Sequence, residues 1–563
     1  MSEFDVVVRG GTVVDGTGVP GFTADIGVRD GNIAKVGRID PGLAAATIDA
    51  DGATVTPGFV DIHTHYDAQL HWDPSASPAS WHGVTTLLTG NCGFTLAPSK
   101  PEDLPWLMQM LSRVEGMSAD ALRDGVTFAG GSLGDFLGGL EGKVGVNVGA
   151  NVGHCAVRRF VMGDDASERE ATDAEITAMQ ELVRAAFRDG AVGFTSSQLD
   201  LHVAHDGRGV PSNHASAAEI VALASVLSEF DHGAIEFIPR TFLNGYDDDD
   251  RELIRDLARV SGTAVNVNTL TMMPHAPDGW IRSLDFARES AADGLRVYPM
   301  FATNRQGAHF SLDNTFLFDE MEIFRDTLTL PEPERSKRLA DPEVRDAMRV
   351  RLADWSGRSF VFVWEVLVVE TVAKPENRKY LERSVTEVAA MMGGLDPLDA
   401  FLDLSIDEGL ATQFVLAAPP DPTRQRATEE MVRSPLVMAG SSDGGAHLAS
   451  FVGADFTTRL LSEWTPSVLP FEQAVAKLTM IPAQIHGLTD RGVIRVGAAA
   501  DLNVIDREKL GVGATRFVHD FPAGAGRYVV DAQGYDKVIV NGEVLLDQGT
   551  YTGSTSGTII RGA

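Results

Sequence analysis

From about residue 55 onward the chain alternates short apolar runs with longer stretches in which apolar residues recur every three or four positions. The runs have strand character and the periodic stretches amphipathic-helix character, so their alternation predicts successive β/α units on a parallel sheet. Candidate strands are Phe59–His63, Val84–Cys92, Val144–Ala150, Ala191–Ser197, Ala234–Pro239, Ala264–Leu270, Arg296–Phe301 and Leu436–Asp443. The helix predicted over Ala174–Asp189 turns Ile176, Met179, Leu182, Val183 and Phe187 to one side and stops at Gly190. Ala217–Phe230, Asp248–Ser261 and Trp280–Gly294 repeat the pattern. Eight strands with crossover helices point to a TIM-like (β/α)8 barrel, whose chemistry gathers at the C-terminal strand ends.

The two ends of the chain read differently. VVVRGG, IGVRDGNIAKVG and TIDADGATVT are short β segments, with Asp30-Gly31 and Asp51-Gly52 as hairpin turns. Arg491–Asp506 and Asp536–Gly549, the latter with Asn541-Gly542, read as further hairpins. These ends predict one small β-sandwich built from residues 1–57 and 489–563, flanking a barrel over 58–488. An insertion at about 302–435 separates the last two strands. It opens with FATNRQGAHFSLDNTF and runs through a charged helical piece around Glu332–Ala353. Long loops at a barrel mouth are commonly functional, so part of it reads as a lid. Phe360–Val369, also strand-like, competes with Arg296–Phe301 for the place of strand seven.

Composition narrows the partners. With 47 basic and 79 acidic residues among 563, the formal charge of −32 opposes binding to nucleic acid or an anionic membrane. No apolar run of about 18 residues suggests a membrane span, and MSEFDVVVRGG lacks a leader's basic and apolar regions, so a cytoplasmic location is expected. Two cysteines, Cys92 and Cys155, make no disulfide framework and leave each thiol free for other work.

The densest chemistry lies in VTPGFVDIHTHYD, residues 55–67. Residues two apart in extended backbone point to the same side, which brings His63 and His65 together where a strand is ending. A bare HxH is commonly two partly exposed histidines; the apolar strand, Pro57-Gly58 before it and Asp67 after it favour a metal site instead. Cys92, in LLTGNCGF, ends the second candidate strand, where thiolate ligation competes with packing as a small hydrophobe. Asp443, in MAGSSDGGAH, is either a turn aspartate or an acid facing the same mouth, able to touch a metal and shuttle a proton.

With these residues in hand the chain resembles the amidohydrolase superfamily, in its D-aminoacylase (N-acyl-D-amino-acid deacylase) branch. The matching pieces are VVRGGTVVDGTG, TPGFVDIHTHYD, GNCG, VGHCAVRRFVMG, SSDGGAH and PAQIHGLTDRGVIRVGAAADLNVID, spread over nearly the full length. The resemblance implies a barrel with a composite β-sandwich and a divalent metal, usually zinc, held by His63, His65, Cys92 and Asp443. It also implies hydrolysis of a linear amide, with N-acyl-D-amino acids as the default substrate. Water activated by the metal would attack the carbonyl, and Asp443 would act as general base and then acid.

The pattern is not complete. Members with two metals carry histidines at the ends of strands five and six, where this chain reads AIEFIPRTF and AVNVNTLTM. Glu236 is the anionic residue there that can stand in as a further ligand, and one metal per subunit is the expectation. His154, His202, Arg240 and Arg305 are candidates for substrate contact, the arginines because guanidinium binds carboxylate bidentately. His154 reads equally as a structural histidine, and His202, with His205, as a solvated loop residue. His447 supports Asp443 or caps a helix. Ring opening of a cyclic amide or imide, and a barrel that binds a ligand without turnover, are the competing readings. Sequence leaves the subunit count open between monomer and homo-oligomer.

Overall fold

A computed structural model describes residues 2–273, 275–301, 308–313, 315–355, 362–416, 421–440 and 442–562. Its fold is mixed α/β. The central strands are β1 (Phe59–Thr64), β2 (Val84–Thr89), β3 (Asn147–Ala150, continued after Asn151 by Val152–Gly153), β4 (Gly193–Ser197), β5 (Ala234–Ile238), β6 (Ala264–Val267), β7 (Val297–Phe301) and β8 (Met438–Ala439). Nearly every residue in them is buried, as expected of parallel strands covered on both faces.

All the pairings among these strands are parallel and sequential. β1, β2 and the first half of β3 form one sheet; the second half of β3 continues through β4, β5, β6 and β7 to β8 in another. A parallel bridge between Thr64 and Gly444 then links the end of β1 to the stretch just beyond β8. Helices α1 (Leu104–Val114), α2 (His154–Met162), α3 (Asp173–Asp189), α4 (Ala217–Ser225), α5 (Asp248–Ser261) and α6 (Gly279–Ala292) lie between strands. α3 shows how sequence sets such an element. Thr172 and Glu175 form a capping box, Met179, Val183 and Phe187 are buried, and Gly190 ends the helix at φ 108°.

Strands from both ends of the chain share one seven-stranded sheet, in the order Thr550–Tyr551, Glu543–Asp547, Tyr535–Val540, Leu502–Ile505, Thr54–Pro57, Thr12–Val13, Phe22–Thr23. A four-stranded sheet from residues 4–49 packs with it around Val8, Ile26, Val28, Val55, Leu502 and Val504. Asp30-Gly31 and Asn541-Gly542 make the expected hairpins, each with both residues at positive φ. Asp51-Gly52 does not. The strands it joins, Ala44–Asp49 and Thr54–Pro57, belong to different sheets, so this turn carries the chain from one layer to the other. Arg491–Asp506 is likewise not a hairpin: only Leu502–Ile505 is a strand, paired with Tyr535–Val540 and Thr54–Pro57. The final strand, Ile559–Ile560, pairs parallel with β3.

Between β7 and β8 the described residues include a three-stranded antiparallel sheet, Ala308–Phe310, Gln413–Leu416 and Leu367–Thr371, with helices packed around Phe310, Phe318, Phe324, Phe401 and Phe414. The rival run for strand seven thus ends in an antiparallel strand, and the parallel sheet takes Val297–Phe301. A buried ion pair, Arg113 with Asp319, ties this insertion to α1. No helix among the described residues is long and apolar enough to cross a membrane.

Candidate metal centre

His63 lies within β1 and His65 just past it, so the two-residue period sends both imidazoles to one side, with ring centroids 5.4 Å apart. The loop after β2 brings Cys92 to them. Asn91 Nδ2 donates to the Thr64 and Leu88 carbonyls, and Asp67 accepts from Thr89 Oγ1 and the Gly90 amide, which brace the loop. Cys92 itself takes a φ of 58°. Beyond β8 the Asp443 loop folds back on the same strand end, where the His65 amide donates to the Gly444 carbonyl. Glycine is required there. A Cβ on Gly444 would sit 2.8 Å from the Tyr66 ring, and one on Gly445 (φ 89°) 2.6 Å from the His65 carbonyl oxygen.

Donor atoms of His63, His65 and Cys92 lie within 4.8 Å of one another, and Asp443 meets the two imidazoles from the other loop. Cys92 Sγ is 3.4 Å from His63 Nε2 and 3.7 Å from His65 Nε2, while Asp443 Oδ1 is 2.9 Å from His63 Nε2 and 3.8 Å from His65 Nε2. Tetrahedral bonds of about 2.0–2.3 Å would space donors roughly 3.3–3.8 Å apart, and the separations of Cys92 from the two imidazoles match that, while Asp443 stands at hydrogen-bond distance from His63. Two imidazoles, a thiol and a carboxylate are also the donor chemistry of a borderline-soft ion.

Burial opposes charge on His63, but the hydrogen bond and charge of Asp443, with Glu236 and Asp61, outweigh it and raise its pKa. Burial pushes the Asp443 carboxyl up, yet His63 more than offsets this and holds it below the ordinary carboxylate range. His65 is driven well below the usual imidazole value by burial and by its neighbour His63. Burial, then Glu236, Glu115 and Asp443, push the Cys92 thiol well up. A thiolate in such surroundings therefore depends on a cation's own charge.

The outer edges of the two rings face carboxylates. Glu236, in β5, has Oε1 3.7 Å from His63 Nδ1 and accepts the Cys92 amide at 2.7 Å through Oε2. It therefore lies behind His63 and Cys92, where its Oε1 is buried without a hydrogen-bond partner among the described residues. Burial raises its pKa to about 7, with His63 opposing. Glu115, just past α1, presents Oε1 3.2 Å from His65 Nδ1 and is almost wholly buried. Nothing in the sequence marked it, because one glutamate at a helix end looks like surface charge. Neither contact is a hydrogen bond in this structure, since both Nδ1 atoms and both Oε1 atoms are buried without a partner among the described residues, but a carboxylate at this place can bias the tautomer of its ring by charge. Glu115→Ala is accordingly expected to weaken metal affinity about 10–100-fold, measured by competition with a chromophoric chelator, and Glu115→Gln to retain more of it.

The remaining sequence candidates separate. His202 is at the site: its ring packs edge-on against Phe94, Nδ1 bonds Ser197 Oγ at 3.1 Å, and burial, with His447, drives its pKa down to about 3. It is not a solvated loop histidine. His447 (φ 50°) sits in a turn between Phe316 and Phe451, its amide bonded to the Glu115 carbonyl and its Nε2 4.0 Å from Glu115 Oε2, so it caps no helix. His205 lies against Trp106. His154 is a buried structural residue. Nδ1 bonds Ser196 Oγ at 2.8 Å and Nε2 bonds Glu219 at 2.9 Å, leaving no ring nitrogen for a substrate. Arg240 is half exposed and paired with Asp200 at 2.9 Å, a surface pair rather than a carboxylate clamp at the cluster. Arg305 lies outside the described residues.

Comparison with known proteins now bears on this centre. A model of the amidohydrolase family matches residues 46–546. N-acyl-D-glutamate deacylase of Alcaligenes xylosoxydans xylosoxydans is 27% identical over 568 residues, covering 97% of this chain and 95% of its own. A solved D-aminoacylase, described by its binuclear metal centre with one-metal activation and second-metal attenuation, superposes with a TM-score of 0.68 at 26% identity, over 99% of this chain and 100% of that one. N-acyl-D-glutamate deacylase from Bordetella bronchiseptica, complexed with zinc and a phosphonate mimic of the tetrahedral intermediate, superposes with a TM-score of 0.67 at 25% identity, over 100% of both chains.

Proposed function

The chain belongs to the amidohydrolase family and is a hydrolase of non-peptide C–N bonds, and on that footing we propose that it cleaves linear N-acyl compounds, N-acyl-D-amino acids first among them. The observation that supports this reading is the grouping of His63, His65 and Cys92, with Asp443 against the two imidazoles. The two parallel sheets are read as halves of one closed (β/α)8 barrel over residues 58–488, supported by their shared strand β3 and the Thr64–Gly444 bridge. Residues 1–57 and 489–563 are read as the β-sandwich beside it. One zinc ion per subunit is the proposed complement, since Glu236 stands behind the donors and strands β5 and β6 offer no histidine.

A divalent ion in this donor set, when bound, supplies the Lewis acidity that polarises an amide carbonyl and brings water's ionisation toward neutral pH. The protein's own contribution is placement and proton transfer. Glu236 and Glu115 stand behind the imidazoles, 3.7 Å and 3.2 Å from their outer nitrogens, where their charge favours ring orientations that present Nε2 to the centre. Asp443, whose side chain is 17% exposed where its partners are sealed, is the acidic group of the four that a substrate can reach. It accepts a proton from the attacking water at a carboxylate oxygen and returns it to the departing nitrogen. His202, neutral and adjacent, lines the space beside it.

A panel of N-acyl-D-amino acids, their L-enantiomers and cyclic amides, assayed for free amine or ring opening alongside metal content, tests the proposal. Turnover of the linear D-series by the metal-loaded protein is expected. Turnover confined to cyclic amides would reassign the substrate, and stoichiometric metal without turnover of any amide would overturn hydrolysis itself.

A further inference from the structure

Away from the metal centre, side chains from two separate segments meet on a single oxygen of Glu370. Glu370, in the insertion strand Leu367–Thr371, accepts a hydrogen bond from Tyr528 Oη at 2.6 Å on Oε2, and the same oxygen lies 2.8 Å from His309 Nδ1. His309 belongs to the insertion strand Ala308–Phe310, and Tyr528 to the C-terminal hairpin formed by Gly511–Val518 and Arg527–Gln533. The His309 and Tyr528 rings also lie against each other, with centroids 4.4 Å apart at 33°.

The backbones of the same two residues grip the segment that carries Asp443. The His309 amide donates to the Ser450 carbonyl at 2.6 Å, and the Tyr528 amide donates to the Leu448 carbonyl at 2.8 Å. Within that segment the Ser450 amide returns to His447 at 2.6 Å and the Ala446 amide to Asp443 at 2.8 Å, so the grip at one end is continuous with the loop at the other. This loop needs outside support. It has little regular structure after β8 and holds both Asp443 and His447 at positive φ.

We propose that Glu370 is a positioning residue: by joining His309 to Tyr528 it closes a clasp on residues 443–450 and so sets where Asp443 stands at the metal centre. The proposal rests on Asp443 carrying the proton in the reaction above. It makes the insertion and the C-terminal hairpin joint supports of the site, and the anchored part of the insertion a fixed wall rather than a lid.

The test compares Glu370→Ala, Glu370→Gln and Tyr528→Phe in the metal-loaded protein by steady-state kinetics, metal content and amide exchange. Glu370→Ala is expected to lower kcat about tenfold with KM and bound metal unchanged, because displacements below 1 Å at a reacting group cost this much. Exchange at the amides of 446–451 is expected to quicken about tenfold or more while the rest of the chain keeps its protection. Glu370→Gln should restore both values, since one amide oxygen can take the place of Oε2, and Tyr528→Phe should fall between. Wild-type exchange at 446–451 in Glu370→Ala would overturn the clasp. So would exchange quickened evenly along the chain, or a Gln variant as impaired as the Ala variant. Should Glu370→Ala fold poorly, Tyr528→Phe, which removes one hydroxyl, decides by the same exchange readout. Localised exchange with no turnover of any amide even in the wild type would leave the clasp standing and bring down the substrate reading instead.

Discussion

Asp443→Asn is expected to lower kcat by about 10³-fold while changing KM by no more than a few-fold. The substitution preserves the size of the side chain and an oxygen able to face the cation, but it removes the group that takes the water's proton and delivers it to the leaving nitrogen. Positioned acid–base groups contribute about 10²–10⁴-fold, and this carboxylate would serve in both directions, as base and then as acid. The structure adds a reason why no neighbour substitutes. His63 and His65 are committed to the donor cluster, and Glu236 and Glu115 lie behind the rings. Burial lowers the pKa of both His202 and His447, which makes each a weaker proton acceptor than an ordinary imidazole. The measurement is kcat on the best amide from the substrate panel, with metal content determined on the same sample. Loss of turnover with metal retained supports proton transfer by Asp443. Metal and turnover lost in parallel would make Asp443 a ligand alone, and an unimpaired Asn variant would dismiss it from the chemistry.

How much of this site could be read from the sequence depends on whether a local rule governs each residue. His63 and His65 obey one: the two-residue period of a strand fixes their common side wherever the strand sits. The eight strand positions follow from runs of buried apolar residues for the same reason, although β8 is only two residues long against a prediction of eight. Cys92 and Asp443 lie past the ends of β2 and β8 in loops at positive φ, which no periodicity describes; the sequence offers them as strand-end candidates, each against a bland alternative, and the resemblance adds their joint role. Glu236 stood out as an acid inside an apolar strand. The face of a strand can be predicted, but not which edge of a neighbouring ring a side chain will meet, and so the sequence offers Glu236 only as a possible further ligand beside a salt-bridged or solvated glutamate. Glu115 gave no signal at all, because its neighbour His65 is fifty residues away in the chain and the contact between them is not local. His154 shows the converse. Sequence left it even between site and structure, and the pairing of Glu219 with both His154 and Arg158, all fully buried, decides for structure. The Asp51-Gly52 turn failed for a related reason, since a dipeptide specifies the turn and not the sheet its following strand will join.

Cys92→Ser should separate ligation from packing at the centre. The thiol is buried, pressed upward in pKa by its surroundings, and yet 3.4 Å and 3.7 Å from two imidazole nitrogens, a place where a mere hydrophobe makes poor use of its neighbours. Replacing sulfur by a hydroxyl keeps the shape but not the soft anionic donor, so metal affinity is expected to fall by about a hundredfold or more, equivalent to about 2.7 kcal/mol. Turnover at limiting metal should fall with it and recover in part when metal is supplied in excess. Chelation of the wild type should abolish turnover, and zinc should restore it. Cobalt makes the assignment direct: a thiolate donor gives the substituted wild type a sulfur-to-metal charge-transfer band, which Cys92→Ser should lack while Glu115→Ala keeps it. Binding a metal to the folded chain alone also stabilises it, by about 4 kcal/mol when the free ion is a thousand times its Kd, so the unfolding free energy of Cys92→Ser at fixed zinc should drop by an amount that tracks the change in affinity. A serine variant that binds metal, absorbs and unfolds like the wild type would reduce Cys92 to packing. The centre would then rest on His63, His65 and Asp443, a harder donor set that favours a different ion.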